Sequence, residues 1–271
     1  MHQVEVPGGA DASLLLKPAW IVGDTLCVKI VTFFPDNGRA NKPAVNSACV
    51  LFDATDGTLI GLCAANELTT RRTAAASAIA AKHLARGDAR RLLIVGAGAL
   101  APVAAQAHTM VRNYERIEVW GRRPQAADAV TDELRAVGLP AVASTDLDES
   151  VASADVVCCV TSATAPLVRG TLLRPGTHLD LVGGFAPHMR ETDDEAIRRA
   201  SIFVDTVADA LKAGDLSQPL ADGLISRADV AADLVDLITR NHRGRANADE
   251  ITLFKSVGLA LEDLAAAKLA F

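Results

Sequence analysis

The segment Arg91-Leu92-Leu93-Ile94-Val95-Gly96-Ala97-Gly98-Ala99-Leu100-Ala101 constrains this chain most. An apolar run stops abruptly in Gly-x-Gly-x-x-Ala, and a helix-like pattern follows through Ala104, Ala105, Ala107, Met110 and Val111. Strand, tight turn and helix in that order open a dinucleotide-binding unit. Gly96 permits the turn and Gly98 lets the backbone approach a pyrophosphate. Ala101 is small enough for the helix to pack on the strand. The helix start at Ala99 and Leu100 then aims unpaired N–H groups at the phosphates. An ordinary strand-to-helix turn can carry the same glycines, so the flanking pattern on both sides is what favours a nucleotide site.

A second strand should follow, and its end should read the ribose. Arg116-Ile117-Glu118-Val119-Trp120 supplies it, continued by Gly121-Arg122-Arg123-Pro124. An NAD site normally carries Asp or Glu at that strand end to accept from the 2′-hydroxyl. None is present here. Arg122 and Arg123 stand there instead, as expected if a 2′-phosphate must be paired. They could also be solvated turn residues. The reading favours NADP(H), with NAD(H) as the alternative.

The surrounding chain alternates in the same manner. Strand patterns fall at 91–95, 117–120, 155–160, 177–182 and 201–205, with a weaker one near 141–143, and helical patterns fill most gaps. Alternation of this kind specifies a parallel, doubly wound sheet. The first 85 residues differ. Strand patterns at 14–16, 26–31, 48–52 and 59–63, with a turn at Asp53-Ala54-Thr55-Asp56-Gly57, indicate an antiparallel sheet. A helix is expected from about Asn66 to Arg86, with Gly87 stopping it as a C′ residue. Toward the C-terminus, helices are expected at 207–213 and 228–240, then a polar loop from Asn241 to Glu250. A short strand should follow at 251–254, and an amphipathic helix at 257–271 that returns to cover the N-terminal sheet. At 271 residues the chain is long enough for one large domain or two ordinary ones.

Composition excludes several classes. The formal net charge is −6 with no basic stripe, which argues against nucleic acid and acidic membrane surfaces as partners. Apolar runs stop short of a membrane span, and no secretory leader pattern opens the chain. Cys27, Cys49, Cys63, Cys158 and Cys159 sit in apolar, strand-like contexts without metal-ligand spacing. Cys158 and Cys159 are adjacent in one strand, so they should face opposite sides of the sheet. The expectation is buried thiols in a reducing cytoplasm and no metal.

Three further constellations could carry chemistry. Lys29 is a cation inside an apolar strand, which is costly unless it meets a partner, faces a cleft, or points to solvent on the outer face. Arg71 and Arg72 lie early in the Ala-rich helix, where they oppose its dipole and could grip a carboxylate or phosphate. A solvated helix face fits Arg71 better than Arg72. The third is the pair Val182-Gly183-Gly184-Phe185-Ala186-Pro187 and Phe254-Lys255-Ser256-Val257-Gly258. The first of these follows a parallel strand at its carboxyl end, where ligands bind in such sheets.

Taken together these residues resemble the ornithine cyclodeaminase/mu-crystallin family. The similar segments run in order along nearly the whole chain. They are Lys29 to Pro35, Val50 to Asp53, Glu67 to Ala75, Gly96-Ala97-Gly98, Asp155 to Val157, and Val160-Thr161. Asp180 to Gly184, Arg190-Glu191 with Asp193-Asp194, and Phe254 to Gly258 through Glu262-Asp263 complete the series. The resemblance implies a Rossmann-type doubly wound domain over 86–255. It also implies a smaller α+β substrate-binding and dimerisation domain from 1–85 with 256–271, in a subunit that is usually a homodimer. Lys29 would contact the substrate, and Arg72 would lie where substrate meets nicotinamide. Thr161, Ser162, Val182, Gly183, Gly184, Phe185 and Ser256 would line the nicotinamide half of the cofactor, with Ser256 and Val257 adjoining the substrate.

Two departures from the family pattern refine this. Ornithine cyclodeaminases carry an aspartate directly after the Gly-Gly, and here that position is Phe185, which can neither transfer a proton nor pair with an ammonium. Members lacking the aspartate resemble reductases of cyclic imines or amino-acid dehydrogenases. The family also extends upstream of this start, where it places an arginine for the substrate carboxylate. The implied activity is NADPH-dependent reduction of 1-pyrroline-2-carboxylate or 1-piperideine-2-carboxylate to L-proline or L-pipecolate. The alternatives are NAD-dependent ornithine cyclodeamination and a non-catalytic NADPH- and ligand-binding role.

Overall fold

The computed structural model describes residues 2–40 and 42–271. The chain divides into two compact units, one running up to Arg72 and joined by Gly258–Phe271, the other Thr73–Val257. The expected division, 1–85 with 256–271 against 86–255, assigned the first long helix whole to one side. In the structure that helix, α1 (Asn66–Leu84), changes unit after Arg72. Its Ala74, Ala76, Ala80 and Ala81 are buried among residues of the second unit.

The first unit is a five-stranded antiparallel sheet in sequential order: β1 (His2–Val4), β2 (Ala12–Trp20), β3 (Thr25–Phe33), β4 (Val45–Asp53) and β5 (Leu59–Ala64). Side chains alternate across such strands. Ala19, Cys27, Cys49 and Leu51 therefore share one face, where they pack with Leu264 and Ala267 of the last helix. Pairing of Lys17 with Lys29, and of Lys29 with Cys49, puts both lysines on that same face. The opposite face carries Leu16, Trp20 and Leu62, which are 49%, 60% and 66% exposed.

The second unit is an eight-stranded, wholly parallel sheet. Its strands are β6 (Arg91–Val95), β7 (Arg116–Trp120), β8 (Ala141–Ser144), β9 (Val156–Cys159), β10 (His178–Leu181), β11 (Ala200–Val204), β12 (Val230–Asp233) and β13 (Ile251–Lys255). They lie in the order β12-β11-β13-β10-β9-β6-β7-β8. Helices α2 (Leu100–Thr109), α3 (Pro124–Ala136), α4 (Leu147–Ser153), α5 (Asp194–Arg199), α6 (Val207–Ala210), α7 (Gly214–Ala221) and α8 (Leu234–Thr239) connect the strands; α9 (Ala260–Ala270) closes the chain in the first unit. Burial on both faces follows from strands that read as unbroken apolar runs. Leu92, Ile94, Ile117, Val119 and Cys158 meet α1, α2 and α3 on one side. Leu93, Val95, Val157, Cys159, Leu179 and Leu181 meet α4, α5, α6 and α7 on the other. Cys158 and Cys159 thus enter different cores, as their adjacency requires.

Two expected elements are corrected. The helix expected over 228–240 is a short edge strand, β12, followed by α8, because Val230–Asp233 pairs in parallel with β11. Pairing beyond the local sequence overrides helical pattern here. Gly87 does not take the left-handed conformation of a C′ residue. The last turn of α1 is satisfied by arginine side chains instead: Arg112 donates to the carbonyls of Ala81, Lys82, Ala85 and Arg86, and Arg245 to that of Leu84. Cations at a helix C-terminus also meet its negative end. Among the described residues, no helix is long and apolar enough to cross a membrane.

Candidate active site

Strand order reverses at β6, which has β7 on one side and β9 on the other. The loops after β6 and β9 must therefore diverge, leaving a crevice at the carboxyl ends of the strands. A cavity of about 630 Å³ occupies it, lined by Gly96, Gly98, Arg122, Arg123, Thr161 and Ser162 among others. Gly96 has φ of 118°, and a methyl there would press against the Val160 carbonyl at 2.9 Å. Only glycine fits at this point, where the two chains leave adjacent strands side by side before they part. Gly98 has nothing within 4 Å of where a methyl would stand, so its backbone borders open space. That gap lies beside the first turn of α2 at Ala99 and Leu100, where a pyrophosphate could be held by the helix start.

Arg122 and Arg123 are exposed at the end of β7 and line the cavity. The acid within that strand, Glu118, is occupied. It accepts from Arg91, Arg116 and Ser150, so it is not offered to a ribose. Trp120, Ala163, Thr164, Ala165 and Leu167 also line the cavity, which the glycine and arginine pattern gave no reason to expect.

The loops after β9 and β10 are joined by Glu191, for which the sequence suggested no role. Glu191 is fully buried. One of its carboxylate oxygens accepts from the Thr161 amide at 2.8 Å and the Thr161 hydroxyl at 2.9 Å. The other accepts from the amides of Gly183 at 2.9 Å and Gly184 at 3.2 Å. Asp215, also fully buried, receives the Glu191 amide at 2.7 Å and the Lys255 ammonium at 3.0 Å. Burial raises the Glu191 carboxyl to about 7 against the opposing charge of Lys255. Val182 and Gly184 are buried, and Gly183 and Phe185 partly so. Ser256 is buried with its hydroxyl 3.3 Å from Asp205, whose carboxylate also takes the Val257 amide at 2.6 Å.

In the first unit the solvent-facing alternative for Lys29 does not hold. It is 1% exposed, and its ammonium lies 2.5 Å from Asp263 and 3.4 Å from the Thr69 hydroxyl. Arg72 converges on the same acid, with Nε 2.8 Å from Asp263 and Nη1 3.0 Å from Glu262. Arg71 is exposed and paired with Glu67 one turn back, the solvated reading. Lys17 donates to the Gly258 carbonyl at 3.1 Å. Burial first, then the neighbouring Arg72, bring Lys29 down to about 8, with Asp263 opposing.

The fold also gathers residues scattered along the chain. Ligand atoms of His108, Cys158 and Asp180 lie within 4.8 Å of one another. All three are fully buried, and one oxygen of Asp180 accepts from the Ser77 hydroxyl and faces the His108 imidazole at 3.2 Å. Those hydrogen bonds account for the grouping, which ties α1 and α2 to β10. The Ser77 hydroxyl donates to a carboxylate rather than to the imidazole and no solvent reaches it, so it is no activated nucleophile.

A parallel sheet reversing at β6, with a glycine turn and a cavity across both loops, defines a Rossmann-type nucleotide-binding protein. The chain belongs to the ornithine cyclodeaminase/mu-crystallin family, whose pattern matches residues 3–271. It is 40% identical to Delta(1)-pyrroline-2-carboxylate reductase of Paracoccus denitrificans, over 95% of this chain and 82% of that one. The structure of the Thermococcus litoralis reductase of that name, in complex with NADH and L-proline, superposes with a TM-score of 0.88 at 32% identity. That match covers 96% of this chain and 86% of that one. An archaeal alanine dehydrogenase dimer with bound NAD matches with a TM-score of 0.92 at 29% identity, covering 99% and 82%.

Proposed function

We propose that this chain reduces a small cyclic imino acid, of the 1-pyrroline-2-carboxylate or 1-piperideine-2-carboxylate class, with NADP(H) as favoured cofactor and NAD(H) as the alternative. The observation that carries the reading is the buried cluster around Lys29 and Arg72. Lys29 and Arg72 converge on Asp263, Arg72 also meets Glu262, and Lys17, on the same sheet face as Lys29, donates to the Gly258 carbonyl. Clustered cations in a largely buried setting suit a substrate carboxylate. Lys29 and Arg72 hold that carboxylate and draw electron density from the adjacent C=N bond. Phe185 stands where a cyclodeaminase carries its aspartate and offers no proton, which favours reduction over deamination. The nicotinamide, when bound, supplies the hydride. Gly96 and Gly98 give its pyrophosphate room, and Arg122 and Arg123 pair a 2′-phosphate. Positioning is the main service of the protein. Names borne by relatives support the same substrate class.

The uncovered face of the antiparallel sheet supports a homodimer. Leu16, Trp20 and Leu62 would meet their counterparts in a second copy, because a small sheet must bury its second apolar face.

The test is NADPH and NADH consumption over a panel of cyclic imino acids, with L-ornithine as control. Steady consumption with a cyclic imine supports the proposal. Ornithine converted to proline with ammonia release assigns a cyclodeaminase instead, and no turnover with any imine leaves only a binding role.

A further inference from the structure

We infer that Glu191 is a positioning residue that clamps the loops after β9 and β10 and thereby sets the affinity for the nicotinamide half of the cofactor alone. The inference rests on the dinucleotide reading of the cavity. In a doubly wound sheet the two halves of a dinucleotide lie on opposite sides of the reversal point. Arg122 and Arg123 at the end of β7 mark the adenosine side. The other half therefore extends over the ends of β9 and β10, the two loops that Glu191 joins.

The clamp has a specific chemistry. Four donors, two from each loop, converge on the two oxygens of one fully buried carboxylate, at 2.8–3.2 Å. Only an acceptor on both sides satisfies them. The spacing is also held sterically: a methyl on Gly183 would overlap the Thr161 backbone and come within 2.6 Å of Glu191 Oε1. Behind the carboxylate, Asp215 fixes the Glu191 and Thr192 amides and is itself held by Lys255, so the clamp cannot swing away. The glycine turn at Gly96–Gly98 makes no hydrogen bond to Glu191. Adenosine and pyrophosphate binding should not depend on it.

Glu191→Gln tests this because an amide has one oxygen and one NH₂. Whichever way it turns, one loop meets a donor with a donor. Binding of NADPH and NADH is measured by titration against the wild-type protein, alongside ADP-ribose and its 2′-phosphate, which lack the nicotinamide. The expected result is a roughly tenfold or greater rise in Kd for the full cofactors, with the fragments unchanged. Thr161→Val removes one donor of four and should show the same selectivity at smaller size, which keeps the test available if Glu191→Gln folds poorly. Glu191→Asp, too short to span both loops, should not rescue. Equal weakening of cofactor and fragment makes Glu191 a general support of the fold and overturns the inference, as does unchanged binding of all four. Failure of the wild-type protein to bind any dinucleotide would sink the underlying reading instead.

Discussion

Replacing Asp263 by Asn should both destabilise the protein and move its pH profile, and the structure fixes the size of the first and the direction of the second. Asp263 is fully buried and is the shared partner of Lys29, 1% exposed, and Arg72, whose side chain is 8% exposed. Removing one partner from a buried ion pair leaves an uncompensated charge and costs about 3–5 kcal/mol. Asn keeps the size and one acceptor, so the lower end applies, about 3 kcal/mol. At about 2–4 °C per kcal/mol for a domain of this size, Tm should fall by about 6–12 °C. The second effect follows from Lys29, lowered to about 8 by burial and Arg72 and raised by Asp263. Its folded value lies below that of an exposed lysine. Between about pH 8 and 10.5 the folded chain therefore binds fewer protons than the unfolded one, and this group's contribution makes stability rise with pH across that window. Activity moves the other way. If Lys29 holds the substrate carboxylate, kcat/KM should fall as pH rises through about 8, where the ammonium is lost. Asp263→Asn removes support for the charge, so that fall should begin at lower pH. Imine substrates titrate too. Lys29→Arg, which stays charged, isolates the substrate's own share of the limb. Thermal unfolding and kcat/KM between pH 6 and 10 are the assays. A lowered Tm with an unmoved alkaline limb would show that Lys29 is not the titrating group. An unchanged Tm would refute the buried-pair argument itself.

Three further outcomes are expected. Lys29→Met or Arg72→Met should cut imine reduction by about 10²-fold or more while largely preserving cofactor binding, since a misplaced substrate forfeits the positioning advantage; retention of full kcat/KM in either variant would contradict the substrate role. Arg122→Ala with Arg123→Ala should weaken NADPH relative to NADH by about 1–3 kcal/mol for each charge-assisted hydrogen bond removed, toward the lower end because both side chains are exposed, and equal affinities of the unmutated protein for the two cofactors would count against the arginines as 2′-phosphate ligands. Trp20→Glu should shift the protein from dimer to monomer in sedimentation, because it places a charge on the uncovered apolar face, and a monomeric wild-type protein at micromolar concentration would remove the basis for that interface.

The local parts of this protein are legible in its sequence alone. Gly96, Gly98 and Ala101 announced a strand-turn-helix unit, and apolar runs at 91–95, 117–120 and 177–182 announced a parallel sheet, because burial on both faces and a tight turn are written in neighbouring residues. The arginines after β7 and the lone Lys29 were visible as anomalies for the same reason, each being a charge in a position that needs explaining. What stayed hidden was partnership. Lys29 and Asp263 are 234 residues apart, Thr161 and Glu191 thirty, and Lys255 and Asp215 forty. No periodicity links such pairs, and β12 carries a helical pattern in the sequence because its pairing partner β11 lies outside any local window. Sequence by itself therefore determined most of the strands and helices and where the glycine turn stands, since those depend on short-range sterics and hydrophobic pattern. Only the tertiary structure decided which buried charges neutralise one another and which carboxylate holds the two loops, because the cost of burying a charge is met by whichever opposite group the fold brings within hydrogen-bond distance.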